Sequence, residues 1–446
     1  MKAGVDDRSR WTERRAVRGA AALPAGAVPA LTFPEPSLWW LAYIALVPLI
    51  LLLRASGTAR HALVYGWLGG TGFVIAVHHW LLPNVHVFIV LVGALLGLLW
   101  APWGWLVWWL LHGRPGRARA LSAVVLLPCA WLMIELARSW ESLGGPWGLL
   151  GASQWQVRPA LAVASLGGVW LVTLVVVAVN AAIAVLIAVP PARTPALASL
   201  LALAAGMGAA GAWAPEPEQG RSVRVAVVQP GVVHGPQARF DRGEQLTGGL
   251  AGHGHGLDLV VWGESSVGYD LTARPDLAGR LGALSRSVGA DLLVNVDARR
   301  VNGPGIYKSS VLVGPDGPTD RRYDKIRLVP FGEYIPARAV LGWVTGVSEA
   351  ARENRMRGSG PVILPSGGMR IGPLVCFETA FPDMSRALAR DGADLLVAQS
   401  STSTFQGSWA PEQHASLAAI RAAETWRPMV HATLTGVSAV YDAYGR

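Results

Sequence analysis

Cys376 is one of two cysteines in 446 residues, and it ends the apolar run of Ile-Gly-Pro-Leu-Val-Cys-Phe-Glu (371–378). A thiol at its free pKa is mostly protonated, so a nucleophilic cysteine needs a base or a cation beside it. Glu264 closes another apolar run, Leu-Asp-Leu-Val-Val-Trp-Gly-Glu (257–264), and is the candidate base. Burial at a strand end is expected to raise its pKa toward the useful range. Lys325, in Tyr-Asp-Lys-Ile-Arg-Leu-Val-Pro-Phe-Gly-Glu-Tyr (323–334), offers a positive charge to the oxyanion of a tetrahedral intermediate, with a backbone N–H after the cysteine. One such donor is worth about 3–4 kcal/mol. Glu333 is placed to orient the lysine or an attacking amine, and Glu378 to act beside the nucleophile. A thiol, carboxylates and an amine are the parts of a cysteine acyl-transfer site.

Each residue also has an ordinary reading. A cysteine ending a strand packs in a core, a glutamate after Trp-Gly faces solvent, and a lysine in a basic loop does the same. The chain holds three lysines (Lys2, Lys308, Lys325) against thirty-five arginines, so a surviving Lys325 suggests a role arginine cannot fill. Lys308 has the same rarity and weakens that argument. His414 and His431 are further candidates for a Cys-His pair, though neither sits in a supporting local motif.

Both apolar runs read as buried strands, whose ends are where many α/β folds present a reactive group. After residue 220, strand-like runs at 223–228, 257–262, 291–296, 309–313, 370–375, 395–398 and 429–434 alternate with helical ones near 275–288, 381–390 and 411–425. That pattern predicts an α/β domain over 221–446 with buried sheets. A Pro/Glu-rich linker, 214–220, precedes it.

The first half is a different material. Hydrophobic residues make up 52% of the chain and charged ones 15%, too apolar for a soluble protein, and most of the excess precedes residue 214. Candidate membrane spans are 18–33, 37–53, 62–81, 87–111, 119–138, 163–188 and 195–213, after a basic cytoplasmic tail over 1–17. The first is short and carries Pro24 and Pro29, and its alternative is a removable signal peptide. Arginines alternate between loops: Arg54 and Arg60, then Arg114, Arg117 and Arg119, then Arg193 lie on the side of the basic tail. The intervening loops hold Arg138 and Arg158. Positive loops stay cytoplasmic, so seven spans put the domain after 214 on the extracytoplasmic side. The net charge of +9 is not gathered with aromatics as a nucleic-acid surface would be, and the twenty tryptophans lie in and beside the apolar stretches. Glu135 with Arg138, Asn180 and the glycine-rich loop 144–151 are the polar features of this half. The pair and Asn180 are expected to serve packing. The loop is either a simple turn or a segment able to approach the second domain or a lipid headgroup. No metal-ligand spacing or phosphate-cradling loop is present, and no cofactor is expected.

The ordered set Val-Val-Trp-Gly-Glu264-Ser-Ser, Tyr-Asp-Lys325-Ile-Arg-Leu-Val-Pro-Phe-Gly-Glu333-Tyr-Ile-Pro and Gly-Pro-Leu-Val-Cys376-Phe-Glu378 resembles the Glu-Lys-Cys triad of the carbon-nitrogen hydrolase (nitrilase) superfamily. With the multi-span half and Pro-Trp-Gly at 146–148, the chain resembles the apolipoprotein N-acyltransferase family over nearly its whole length. The resemblance implies a multi-span α-helical membrane domain carrying an α/β outer domain, a nitrilase-like αββα sandwich, at the bacterial plasma membrane. It implies Glu264 as base, Lys325 as oxyanion stabiliser, Cys376 as the acyl-carrying nucleophile, and Glu333 and Glu378 as supporting carboxylates. The implied partners are a phospholipid acyl donor and diacylglyceryl apolipoproteins, with no nucleic acid. Phe377 stands where the family commonly has tyrosine, and Ser-Ser-Thr-Ser-Thr-Phe (400–405), 421–428 and 435–439 look like an actinobacterial branch. Family members continue beyond the position of Tyr-Gly-Arg (444–446) into a returning span, so the resemblance implies a final span missing here. A membrane-tethered amidase and a non-catalytic membrane homologue are the alternatives.

Overall fold

The computed structural model describes residues 17–214, 216–217, 220–252, 256–335, 338 and 353–446. The basic residues Lys2, Arg8, Arg10, Arg14 and Arg15 of the expected tail, and linker residues 215, 218 and 219, lie outside the described residues. The chain divides into two compact units, Met1–Ala214 and Pro215–Arg446.

The first unit is helical. Four helical stretches are long and apolar enough to cross a membrane: Phe88–Leu111, Arg117–Arg138, Arg158–Ala188 and Pro190–Trp213. Helix Ala59–Val77 starts where the Thr58 side chain accepts the His61 N–H (3.3 Å), a regular N-cap. It packs closely on Phe88–Leu111 through small residues. A Cβ on Gly66 would lie 2.6 Å from the Trp100 carbonyl oxygen, and one on Gly104 would lie 2.4 Å from that of Ala62. Without a hydrophobic drive in lipid, such close approach supplies the dispersion that joins helices.

The stretch expected as one span over 37–53 is instead a 3-10 turn, Trp39–Tyr43, and a helix, Val47–Arg54, with a proline in its first turn. Asn180 explains how this break is tolerated. Its Oδ1 accepts the Leu46 N–H (2.8 Å) and its Nδ2 donates to the Ala42 carbonyl (2.8 Å), so backbone groups freed by the break stay paired. Glu135 and Arg138 tie down the glycine-rich loop. Glu135 Oε1 accepts the Leu150 N–H (2.7 Å) and Oε2 accepts the Thr173 hydroxyl (2.9 Å), while Arg138 donates to the carbonyls of Trp147 (2.5 Å) and Gly148 (3.1 Å). The arginine-bearing loops share one end of the bundle: Arg54 reaches the Gly113 carbonyl, Arg117 that of Pro191 and Arg18 that of Ala55.

The second unit is built from two five-stranded sheets. The first runs in spatial order β1 (Val225–Val228), β2 (Leu259–Trp262), β3 (Asp291–Arg299), β4 (Ile306–Gly314), β5 (Gly317–Asp324). The second runs β10 (Ala439–Tyr441), β9 (Met429–Thr433), β8 (Leu395–Ser400), β7 (Met369–Val375), β6 (Leu364–Ser366). The inner strands pair in parallel: β1 with β2, β2 with β3, β7 with β8, and β8 with β9. Side chains alternate across each strand. Leu259 and Val261 of β2 meet Ile371, Leu395, Val397 and Val430 between the sheets, whereas Val260 and Trp262 face Phe240, Leu277 and Leu281 of helices Pro236–Gly248 and Pro275–Val288. Helices Pro382–Arg390 and Ala410–Thr425 belong to the other sheet, completing the expected αββα sandwich. Burial on both faces explains the unbroken apolar runs of β2 and β8.

Candidate active site

Glu264 lies just past β2, Lys325 just past β5 and Cys376 just past β7, so three strand ends converge. Sheet-to-sheet bonds fix the convergence. The Glu264 N–H donates to the Ser400 carbonyl (3.1 Å), and Gln399 Nε2 crosses the sandwich to the carbonyls of Trp262 (2.8 Å) and Leu293 (3.1 Å). A Cβ on Gly263 would sit 2.0 Å from the Leu434 nitrogen, so only glycine lets β2 approach β9 this closely.

Cys376 has φ 51°, outside the usual range of a non-glycine residue, as do Ser265 (57°) and Phe331 (61°) beside Glu264 and Glu333. Such backbone is held by its surroundings and clusters at functional sites. Here the surroundings are identifiable. His414 Nε2 donates to the Cys376 carbonyl (2.9 Å), and Arg421 Nη1 donates to that of Ala380 (3.2 Å). The two are seven residues apart, hence on one helix face, and they clamp both ends of the 3-10 turn Cys376–Ala380. The Ser265 N–H donates to Asn295 Oδ1 (2.8 Å).

The side chains meet in a buried ionic cluster. Lys325 Nζ donates to Glu333 Oε1 (2.9 Å) and lies 3.4 Å from Glu264 Oε1, which also receives a hydrogen bond from Lys308 Nζ at 2.9 Å. Lys308 further contacts the Ser265 hydroxyl (3.1 Å), Asp297 Oδ2 (3.6 Å) and Glu333 Oε1 (3.7 Å), and Arg355 pairs with Asp297 (3.1 Å). Cys376 and Glu264 lie close enough that the carboxylate charge bears on the ionisation of the thiol. Three acids thus face three bases around a neutral thiol.

Glu378 occupies the seam between the strands that deliver Lys325 and Cys376. Its Oε1 accepts from the Tyr323 hydroxyl (2.8 Å) and the N–H groups of Ile326 (2.7 Å) and Arg327 (3.0 Å), and its Oε2 accepts from the Val375 N–H (2.8 Å).

Two expectations change. Burial does push the Glu264 carboxyl upward, but the ammoniums of Lys308 and Lys325 outweigh it and hold the group at about 2. The thiol moves the other way: burial, then the adjacent Glu264 charge, push Cys376 up to about 12. Lys308, whose rarity seemed to dilute the case for Lys325, stands in the same cluster. Scarcity of lysine was therefore a signal for both. His414 does reach Cys376, but at its backbone carbonyl; burial lowers the imidazole to about 4, so the ring is neutral and a hydrogen-bond donor rather than the thiol's base. His431 packs edge-on against it at 4.8 Å. Among the described residues no group of three or more His, Cys, Asp or Glu is arranged to hold a metal ion.

Comparison with known proteins gives the family. Residues 224–446 match the carbon-nitrogen hydrolase family model, which defines the class of the second unit. Residues 25–182 match the model of the apolipoprotein N-acyltransferase N-terminal domain. The apolipoprotein N-acyltransferase of Azotobacter vinelandii is 34% identical over 98% of this chain and 87% of its own length; that of Geobacter metallireducens is 31% identical over 95% and 85%. A carbon-nitrogen hydrolase superfamily protein of known structure from Xanthomonas campestris is 22% identical, with a TM-score of 0.38 over 50% of this chain and 84% of its own. The chain belongs to the apolipoprotein N-acyltransferase family. It is an acyltransferase of a bacterial membrane.

Proposed function

We propose that this chain N-acylates apolipoproteins by a two-stage transfer through Cys376. In the first stage the Cys376 sulfur attacks an acyl ester of a membrane phospholipid while Glu264 takes the thiol proton. The S–C bond forms, the ester C–O bond breaks, and Glu264 returns the proton to the departing lysophospholipid oxygen. In the second stage the α-amine of an S-diacylglyceryl-cysteine attacks the thioester. Glu264 accepts the amine proton, the C–S bond breaks, and the thiol is restored. Lys325, with the N–H after Cys376, faces the oxyanion of both tetrahedral intermediates. Glu333 orients Lys325, and Glu378 holds the two strand ends in register.

The observation that carries this reading is the convergence of Glu264, Lys325 and Cys376 from three strand ends, with Lys325 Nζ 3.4 Å from Glu264 Oε1. A thiol held at about 12 is not a resting thiolate, so its proton must leave as the S–C bond forms, and the Glu264 carboxylate is the acceptor within reach. Both substrates are lipid-anchored, which gives a multi-span helical unit a reason to share a chain with this site. The gathering of Arg18, Arg54 and Arg117 at one end of the bundle supports that end as the cytoplasmic one, with the second unit on the extracytoplasmic side of the plasma membrane.

The test is mass spectrometry of a diacylated lipopeptide incubated with the protein and phospholipid. One added acyl chain on the α-amine is expected, and Cys376→Ala should form no labelled acyl-enzyme from radiolabelled phospholipid. Persistent labelling of that variant would sink the assignment.

A further inference from the structure

Lys308 is unused by the transfer just described, yet it makes the shortest contact to Glu264. Its Nζ lies 2.9 Å from Glu264 Oε1, against 3.4 Å for Lys325, whose own short bond goes to Glu333 at 2.9 Å. We propose that Lys308 is a second site cation, a positioning residue that keeps Glu264 ionised and aimed at Cys376, leaving Lys325 free to serve the oxyanion.

The placement favours this division of labour. Lys308 projects from β4, the strand next to β3, with only 12% of its side chain exposed. It is held at Ser265 Oγ (3.1 Å), Asp297 Oδ2 (3.6 Å) and Glu333 Oε1 (3.7 Å), so its ammonium is fixed from several directions. An unpaired ammonium would be expelled from such a site; one facing three carboxylates is retained, and burial is outweighed by Glu264, Asp297 and Glu333 in raising its pKa. Both ammoniums converge on one oxygen, Glu264 Oε1. Glu264 faces Lys308 from β4, Lys325 from beyond β5, Cys376 from beyond β7, Asp297 from β3, Glu333 from the 329–335 loop and His414 from helix Ala410–Thr425.

Charge balance gives the consequence. With Lys308 present, Glu264, Glu333 and Asp297 are matched by Lys308, Lys325 and Arg355. Moving the thiol proton to Glu264 leaves that sum unchanged, because a thiolate replaces a carboxylate beside the same cations. Without Lys308 the cluster carries one excess negative charge. Protonation of Glu264 then becomes easier, and both the base and the thiolate lose a stabilising neighbour.

The inference rests on Glu264 being the base, and the experiment separates the two. Thioester formation on Cys376 from a defined phosphatidylglycerol vesicle is followed by initial rates from about pH 2 to about pH 9 in the full chain, a range that reaches the limb set by Glu264 at about 2. Lys308→Met is expected to lower the neutral-pH acylation rate about 10- to 100-fold. It should also move the acidic limb upward by at least about one pH unit, with the KM for phospholipid unchanged. Lys308→Arg, which keeps the charge, should leave the limb in place. If Lys308→Met does not fold, Lys308→Asn, which keeps a donor without charge, is read the same way. A merely structural lysine would reduce the folded fraction without moving the limb, and an unmoved limb in the uncharged variants overturns the proposal. Glu264→Gln is measured alongside. If it loses thioester formation while Lys308→Met keeps the wild-type limb, only the Lys308 proposal falls. If Glu264→Gln still acylates, the base reading falls and takes this one with it.

Discussion

Glu378 illustrates how a residue away from the reacting atoms can govern them. One carboxylate accepts four hydrogen bonds, from Tyr323, Ile326 and Arg327 on one side and from Val375 on the other. Lys325 and Cys376 are thereby spaced by a single buried group. Burial pushes its pKa up, and the donors from Arg327 and Val375 together with Lys325 pull it back without cancelling that rise. In Glu378→Gln one oxygen becomes an NH2 that faces an N–H donor. The expected cost is about 1–3 kcal/mol of stability with a larger loss of acylation, since the spacing of the two reactive groups relaxes. Thermal unfolding in detergent and acyl-enzyme labelling of the same preparation check both parts.

At the scale of elements, helix Ala410–Thr425 and β9 form a brace behind the nucleophile turn. His414 and His431 are its buried core, with burial lowering them to about 4 and about 3. In the unfolded chain both titrate near 6.5. Between that value and their folded values the unfolded state binds more protons, so stability rises with pH across the window and is lost as pH falls through it. The depressed Glu264 acts in the same direction at lower pH, from about 4.5 toward about 2. The second unit should therefore lose on the order of 10 °C in Tm between about pH 7 and about pH 4.5. His431→Phe, by removing one titrating group, should flatten that slope. A pH-independent Tm in the wild-type protein would show that the pair is not buried as described.

At the scale of the whole molecule, an arginine-rich end of the helical unit gives a testable direction. Arg18, Arg54 and Arg117 donate to carbonyls at the loops around Ala55, Gly113 and Pro191. In a Cys129→Ala background, Arg117→Cys should react with a membrane-impermeant maleimide only after permeabilisation. Gln156→Cys, in the loop bearing Arg158, should react in intact cells. The reverse pattern would invert the orientation proposed for the second unit.

The sequence by itself determined the classes of both halves and singled out the three residues that meet at the candidate site. Apolar runs of the right length, turn residues between them and rare residue types at their ends are all local signals. Strands β2, β7 and β8 were legible because both faces are buried, which writes them as unbroken apolar runs. The edge strand β5, Gly-Pro-Thr-Asp-Arg-Arg-Tyr-Asp, was not, because it is largely exposed, and β6 and β10 are only three residues long. Helix Pro236–Gly248 escaped too: it is mostly polar and buries only Phe240, Gly243 and Thr247. What only the tertiary structure decided is the electrostatic state of the site. Whether burial or charge sets Glu264 depends on how far Lys308 and Lys325 stand from it, and those distances are made by strands far apart in the chain. Coulomb energy varies with separation in space and with local dielectric, neither of which is written in the order of residues.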